Sequence, residues 1–245
     1  MVAQLPYCGT PPSPGELLAR FNLDPLLIAG LIVLATAHLV LARRSRRFAF
    51  AGWSIAAAAF ISPLCALSVS LFSARITQHM VLLLAAAPLI ALALPRPAAS
   101  RGTLGLWIAT GAFFIALWFW HMPNPYDATF TSTPIYWSMH ATLFGSGILL
   151  WRELLHHRPN HIGSVLVAGT FTSMQMGLLG ATLALAGHPL FFSHLMTTSI
   201  WGLTPLQDQQ LGGTLMWVPG ILLFLWTAIR SLRRLWSTFE SPNPA

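Results

Sequence analysis

Seven apolar stretches, each close to the length of a lipid-spanning helix, leave this chain few folds to adopt. They run Leu26–Ala42, Phe48–Leu67, Ile76–Leu94, Leu104–Trp120, Ile135–Trp151, Ile162–Ala186 and Leu211–Ile229. A spanning helix needs roughly 20 predominantly apolar residues. In hydrocarbon the backbone can satisfy its own N–H and C=O groups only as a helix or a closed barrel, and runs this long read as helices. Only 8% of the 245 residues are charged and 55% are hydrophobic, whereas soluble domains average roughly 25% charged. The expected fold is all-α, a polytopic integral membrane bundle of about seven transmembrane helices. Residues 1–23 form a polar, proline-rich segment (YCGTPPSPGE) without the basic and apolar regions of a cleavable signal peptide. Residues 24–235 form the transmembrane domain and residues 236–245 a tail.

All 13 basic residues are arginine. With no lysine amine, Schiff-base chemistry with retinal or pyridoxal is excluded. The formal charge of +7 comes without an aromatic-interleaved basic patch, so no nucleic-acid partner is expected. The arginines instead report orientation. With the first loop in the cytoplasm, Arg43, Arg44, Arg46, Arg47, Arg96, Arg101, Arg152, Arg158, Arg230, Arg233 and Arg234 all fall inside, and only Arg20 and Arg75 outside. The positive-inside rule then places the N-terminus outside and the C-terminus inside.

This orientation sorts the polar residues by side. Ionisable side chains held near hydrocarbon are costly and usually face a bundle interior, where they work. Arg75 stands just before the third run, which carries Gln78, His79 and Met80 in its first turns; His121 and Met122 directly follow the fourth; Met139 and His140 lie about one turn into the fifth. Imidazole suits copper and zinc, and thioether selects Cu(I). His79, His121 and His140, with Met80, Met122 and Met139 nearby, read as a copper-type ligand pool at one mouth of the bundle. Other residues have plainer readings. His38, His188 and His194 read as interfacial hydrogen-bonding groups, and His156, His157 and His161 as solvated or in contact with anionic lipid. Met174 and Met176 read as packing, while Gln175 between them needs a polar partner.

Cys8 and Cys65 both fall on the outer side. They can form a disulfide in an oxidising compartment, or serve as soft copper ligands or a redox-active pair when reduced; the second reading is slightly favoured, since a seven-helix bundle does not need a lone disulfide. Near the last run, Asp208, Gln209 and Gln210 sit at the outer mouth. Asp208 and Gln209 can orient a ligating histidine or, equally, Asp208 can serve a helix N-terminus.

The stretches FISPLCALSVSLFSARITQHMVLLLAAAPLIAL, FWHMPNPYDATF, IYWSMHATLFGSGILLWREL and WGLTPLQDQQLGGTLMWVPG together resemble the CtaG-type cytochrome c oxidase assembly family, from about Asp24 to the last run. The resemblance implies a multi-pass protein of the bacterial inner membrane that helps mature the haem-copper oxidase. Its implied role is copper delivery to the oxidase catalytic subunit. The matching positions are His79, His121, His140, Asp208 and Gln209. Two positions depart from the family pattern: Arg75 stands where a second histidine is expected four residues before His79, and Cys65 where an acidic residue often follows the SPL motif. A guanidinium cannot ligate copper, which makes Cys65 the candidate replacement ligand.

Three functional readings follow. In the first, the chain is a non-enzymatic assembly factor that takes copper from a periplasmic donor, holds it on His79, His121 and His140 with Cys65 or a methionine, and passes it to the oxidase. A variant moves copper through the bundle past Met174, Gln175 and Met176. The second is a membrane oxidoreductase with haem b between His79 and His140. The third is a structural subunit whose histidines are interfacial. Lipid is a partner in every case, and a homo-oligomer is compatible with each.

Overall fold

A computed structural model describes residues 5–42, 45–95, 103–157 and 159–240, with no strand among them. Every apolar run coincides with a helix: α1 (Pro25–Leu41), α2 (Arg46–Ile61), α3 (Leu64–Ser70), α4 (Phe72–Ala93), α5 (Leu104–Trp120), α6 (Pro123–Thr131), α7 (Thr133–Leu155), α8 (Ile162–Ala184) and α9 (Pro205–Glu240). Among the described residues α4 and α8 are long and apolar enough to cross a membrane, and counting the bent pairs α2–α3 and α5–α6 as one span each raises the number to four. Of the arginines used for orientation, Arg43, Arg44, Arg96, Arg101 and Arg158 lie outside the described residues.

Prolines set the breaks that the runs did not foretell. The second run divides at Ser62-Pro63, where α2 and α3 meet at 48°. A residue before proline is pushed out of the helical region, and Ser62 takes ψ 167°. Met122, before Pro123, is likewise extended at ψ 142°, and α6 leaves α5 at 75°. The last helix exceeds its apolar run at both ends and carries residues 236–240 of the expected tail.

The described contacts distinguish two ends of the bundle. At one, Arg46 donates to the Leu39 carbonyl and Arg152 to the Pro95 carbonyl, at 3.2 and 2.8 Å. At the other lie the N-terminal segment, the start of α4, the end of α5 and the start of α9. Phe72, Ile76, Met80 and Leu83 of α4 run through the principal core, which α5, α7, α8 and α9 complete. A smaller core joins Leu27 of α1 to Ala56 and Phe60 of α2 and Leu82 of α4. Between α8 and α9 the backbones nearly touch. A Cβ on Gly180 would lie 2.7 Å from the Gly213 carbonyl oxygen, and one on Gly213 2.5 Å from the Ala184 nitrogen. Only residues without side chains permit so close a crossing.

Immediately after Met80, α4 widens into a π-helical turn over Val81–Ala86. Its cause lies ahead at Pro88, which has no N–H and whose ring opposes the carbonyl four residues back. In the wider register the Ala87 N–H reaches Leu82 rather than Leu83. The Leu83 carbonyl would then depend on residue 88, the proline. Trp151 of α7 supplies the missing donor, its indole N–H reaching the Leu83 oxygen at 2.7 Å. Replacing Trp151 with phenylalanine removes that donor from a buried carbonyl, at a cost of about 1–3 kcal/mol. The expected result is a lower thermal midpoint in detergent for Trp151→Phe, with a smaller drop for an exposed change such as Trp107→Phe.

Candidate functional site

Three helices bring His79, His121 and His140 together. His79 lies in the last α-helical turn of α4 before the π turn, His121 caps the C-terminus of α5 at the bend into α6, and His140 lies two turns into α7. The His79 ring centroid is 5.3 Å from that of His140 and 5.9 Å from that of His121, both edge-on. Exposure is 1%, 4% and 3% for His79, His121 and His140.

Their hydrogen bonds decide which nitrogens are free. His121 Nδ1 lies 2.7 Å from the Leu117 carbonyl and His140 Nδ1 3.1 Å from that of Tyr136, each four residues back. A carbonyl only accepts, so each Nδ1 carries the proton and each Nε2 keeps its lone pair. Those two Nε2 atoms, and both ring nitrogens of His79, are buried without a hydrogen-bond partner. A buried polar atom left so costs about 1–3 kcal/mol, and orphans of this kind ask for an ion or a water. Two imidazoles on one ion, each nitrogen at about 2.0–2.1 Å, hold their centroids roughly 5–6 Å apart, the spacing seen here. Neutral imidazole donors suit copper or zinc. Among the described residues no three or more His, Cys, Asp or Glu side chains form a ready-made metal-binding group, so closing on an ion requires the rings to reorient.

One turn before His79, Arg75 is 1% exposed, and among the described residues no carboxylate lies within ion-pair distance of it. Helix α6 holds it instead. Tyr126, Thr129 and Phe130, at i, i+3 and i+4, share one helical face. The Thr129 hydroxyl accepts from Arg75 Nη1 at 2.6 Å, and the guanidinium stands over the Phe130, Tyr126 and Tyr136 rings at 4.1, 5.3 and 5.6 Å. Aromatic faces stabilise a cation more when water is excluded.

The other expected residues have different placements. Asp208 does not orient an imidazole; it caps the N-terminus of α4, accepting from the Phe72 N–H at 2.6 Å, the Ser73 N–H at 3.1 Å and the Ser73 hydroxyl. Leu71, the local N-cap, has no polar side chain to do so. Gln209 likewise serves backbone, accepting from the Leu190 N–H at 2.7 Å and donating to the Leu183 carbonyl. Gln78 donates to the Ala59 carbonyl at 2.8 Å and fastens α4 to α2. Met80 and Met139 are buried in the principal core. Cys65 is joined to Cys8 in a disulfide, and in that state it offers no thiolate to a metal. Gln175 finds its partner in the Trp118 indole at 3.2 Å.

Sequence reasoning passed over two residues. Tyr136 is 1% exposed and stands 4.4 Å from the His140 ring; its place one turn before His140 is the available signal. His194, read as interfacial, is 2% exposed, bonds the Tyr126 hydroxyl at 2.7 Å and meets Phe130 edge-on. Nothing in its flanking residues marks that burial. Asp127 fixes the turn leading to His194 by accepting from Ser193 N–H at 3.1 Å and from its hydroxyl.

Burial, aided by the Arg75 charge, pushes the His194 imidazole down from 6.5 to about 3. The folded state therefore binds this proton less well than the unfolded chain, and stability is intact above 6.5 and falls as pH drops towards 3. Thermal midpoints in detergent should decline over that window, and His194→Gln, which keeps an amide for Tyr126, should flatten the decline.

No curated protein and no solved structure matches the chain. The family described as cytochrome c oxidase caa3 assembly factor (Caa3_CtaG) matches residues 28–238, which include α2 to α8 entire, all three histidines and the Asp208 cap. The chain belongs to the cytochrome c oxidase caa3 assembly factor family.

Proposed function

We propose that this assembly factor holds a copper ion between His79, His121 and His140 and hands it to the catalytic subunit of the oxidase, having received it from a donor outside the membrane. The carrying observation is the gathering of three buried imidazoles from three helices, each with at least one ring nitrogen that lacks a hydrogen-bond partner. Copper is cargo here, and the chain performs no turnover chemistry. The donors are neutral, and the nearby buried Arg75 adds positive charge without a compensating carboxylate within ion-pair distance among the described residues. A monovalent ion is penalised less in such surroundings than a divalent one, which favours Cu(I).

The bundle has seven spans in this reading, with the histidines towards the outer side. The two ends of the molecule support that orientation, since Arg46 and Arg152 lie at the end opposite the disulfide. The alternatives draw less support. The edge contact of His79 with His140 at 5.3 Å suits one shared ion better than a macrocycle inserted between the rings. A path through the bundle past Met174 meets a side chain that is 65% exposed, turned away from the interior.

Detergent-purified wild type, loaded with Cu(I) under ascorbate, should retain about one copper per chain. His79→Ala should retain at least tenfold less, with Asp208-capped helicity unchanged by circular dichroism. Copper retained equally by both proteins would overturn the site, and a Soret band in the purified wild type would bring the haem reading forward.

A further inference from the structure

The N-terminal segment crosses the outer end of the bundle beside the histidines and is fastened there covalently. Cys8 is joined to Cys65 of α3, with a Cα–Cα distance of 5.5 Å. Next to it, Tyr7 stacks on Tyr136 at 4.9 Å and meets Trp137 edge-on at 5.0 Å. The Tyr7 hydroxyl donates to Asp24, the N-cap of α1. Beyond the bend at Gly9 (φ 88°), Arg20 returns to the carbonyl and hydroxyl of Thr10 at 2.8 and 2.9 Å, closing the rest of the segment on itself.

This strap lands on the turn that orients His140. Tyr136 gives its carbonyl to His140 Nδ1, while its hydroxyl lies 3.5 Å from Cys8 Sγ and 3.9 Å from Cys65 Sγ. An open groove of about 630 Å³ has Tyr7, Asp24, Trp137 and His140 among its lining residues, with the exposed Leu26 and Leu34 of α1 on its outer side. Strap residues and the His140 ring therefore border the same space. His140 is 3% exposed, and two of the rings packed against it, Tyr136 and Trp137, are the ones on which Tyr7 of the strap rests.

We propose that the strap is a thiol-controlled closure, and that reduction of the Cys8–Cys65 bond frees the Tyr7 edge of this groove and clears the way from it to His140. Its purpose, admitting or releasing the ion, rests on the function proposed above; its geometry does not. The two sulfurs are unequal. Cys65 is fully buried, whereas Cys8 is half-buried. A thiolate of an external dithiol attacks Cys8 Sγ, forming a mixed disulfide and expelling Cys65 as thiolate. The second thiol of the reductant then attacks its own sulfur in the mixed disulfide and expels Cys8. The reductant leaves as a disulfide, and its two protons end on Cys8 and Cys65. Around Cys8 the strap is then held by the Tyr7 ring contacts and the bond to Asp24, while its far end stays anchored where the Asn22 N–H reaches the Ile61 carbonyl at 2.8 Å.

The test needs no metal. Full-length protein in detergent, either oxidised or reduced with dithiothreitol and freed of it under argon, is treated with diethylpyrocarbonate, and modification is read at each histidine by peptide mass spectrometry. Reduction should raise the rate at His140 at least tenfold and leave exposed His188 unchanged. Cys8→Ser without reductant should match the reduced wild type, and Tyr7→Ala with the disulfide intact should show a smaller rise. Equal His140 rates before and after reduction, with Cys8 proved free by alkylation, would sink the proposal. So would simultaneous modification of His38, buried at the other end of the bundle, because that reports unfolding. Copper retention and His140 labelling are separate readouts, so failure of either reading is seen without the other.

Discussion

A helix long enough to cross a bilayer normally carries little polarity, yet α4 buries Arg75, Gln78 and His79 within five residues. Everything around it answers that polarity, one neighbour to each group. Asp208 of α9 takes the free N–H groups at its start, and α2 takes the Gln78 amide. Helix α6 holds the guanidinium between a hydroxyl and aromatic rings, and α7 repairs the carbonyl exposed by Pro88. Polar groups inside an apolar bundle persist only when partnered in this way. Arg75 Nε and Gln78 Oε1 lack a hydrogen-bond partner as well, but of these three side chains His79 alone has none at either of its polar atoms.

The electrostatics of the cluster follow from the same arrangement. Whatever approaches His79 meets neutral rings on α5 and α7 and a positive charge one turn away on its own helix. A cation is stabilised only through direct bonds to nitrogen lone pairs, with no carboxylate among the three to hold it by field alone. In the function proposed above, such a place would select by coordination chemistry and release its ion when a better set of donors is offered. That is a suitable temper for a protein whose family assembles another complex.

Much of the bundle was legible in its hydrophobic runs, since each is helical, although the second divides into two helices and the last extends well beyond its run at both ends. What the runs concealed was local. Pro63 and Pro123 broke helices within or just beyond apolar segments, because a pre-proline residue resists the helical region whatever the hydropathy. The three histidines were legible as a group because they share one side and one depth. Asp208 was not, because hydrogen bonding to a helix 136 residues away in sequence leaves no local trace. His194 was hidden for the same reason, and the pairing of Cys8 with Cys65 depended on a spatial distance that no spacing encodes.

The backbone contact of α8 with α9 at Gly180 and Gly213 has a mechanical meaning. Main chains wedged this tightly have no side-chain layer to shear, so the pair moves as a single beam. Asp208 fastens the start of α4 to that beam, and His79 rides with it. The compliant side of the molecule is the opposite one, where α1 is apolar and largely uncovered and the N-terminal segment is attached through a bond that chemistry can undo. The backbone that carries His79 is therefore braced, and the adjustable part of the molecule is the N-terminal side.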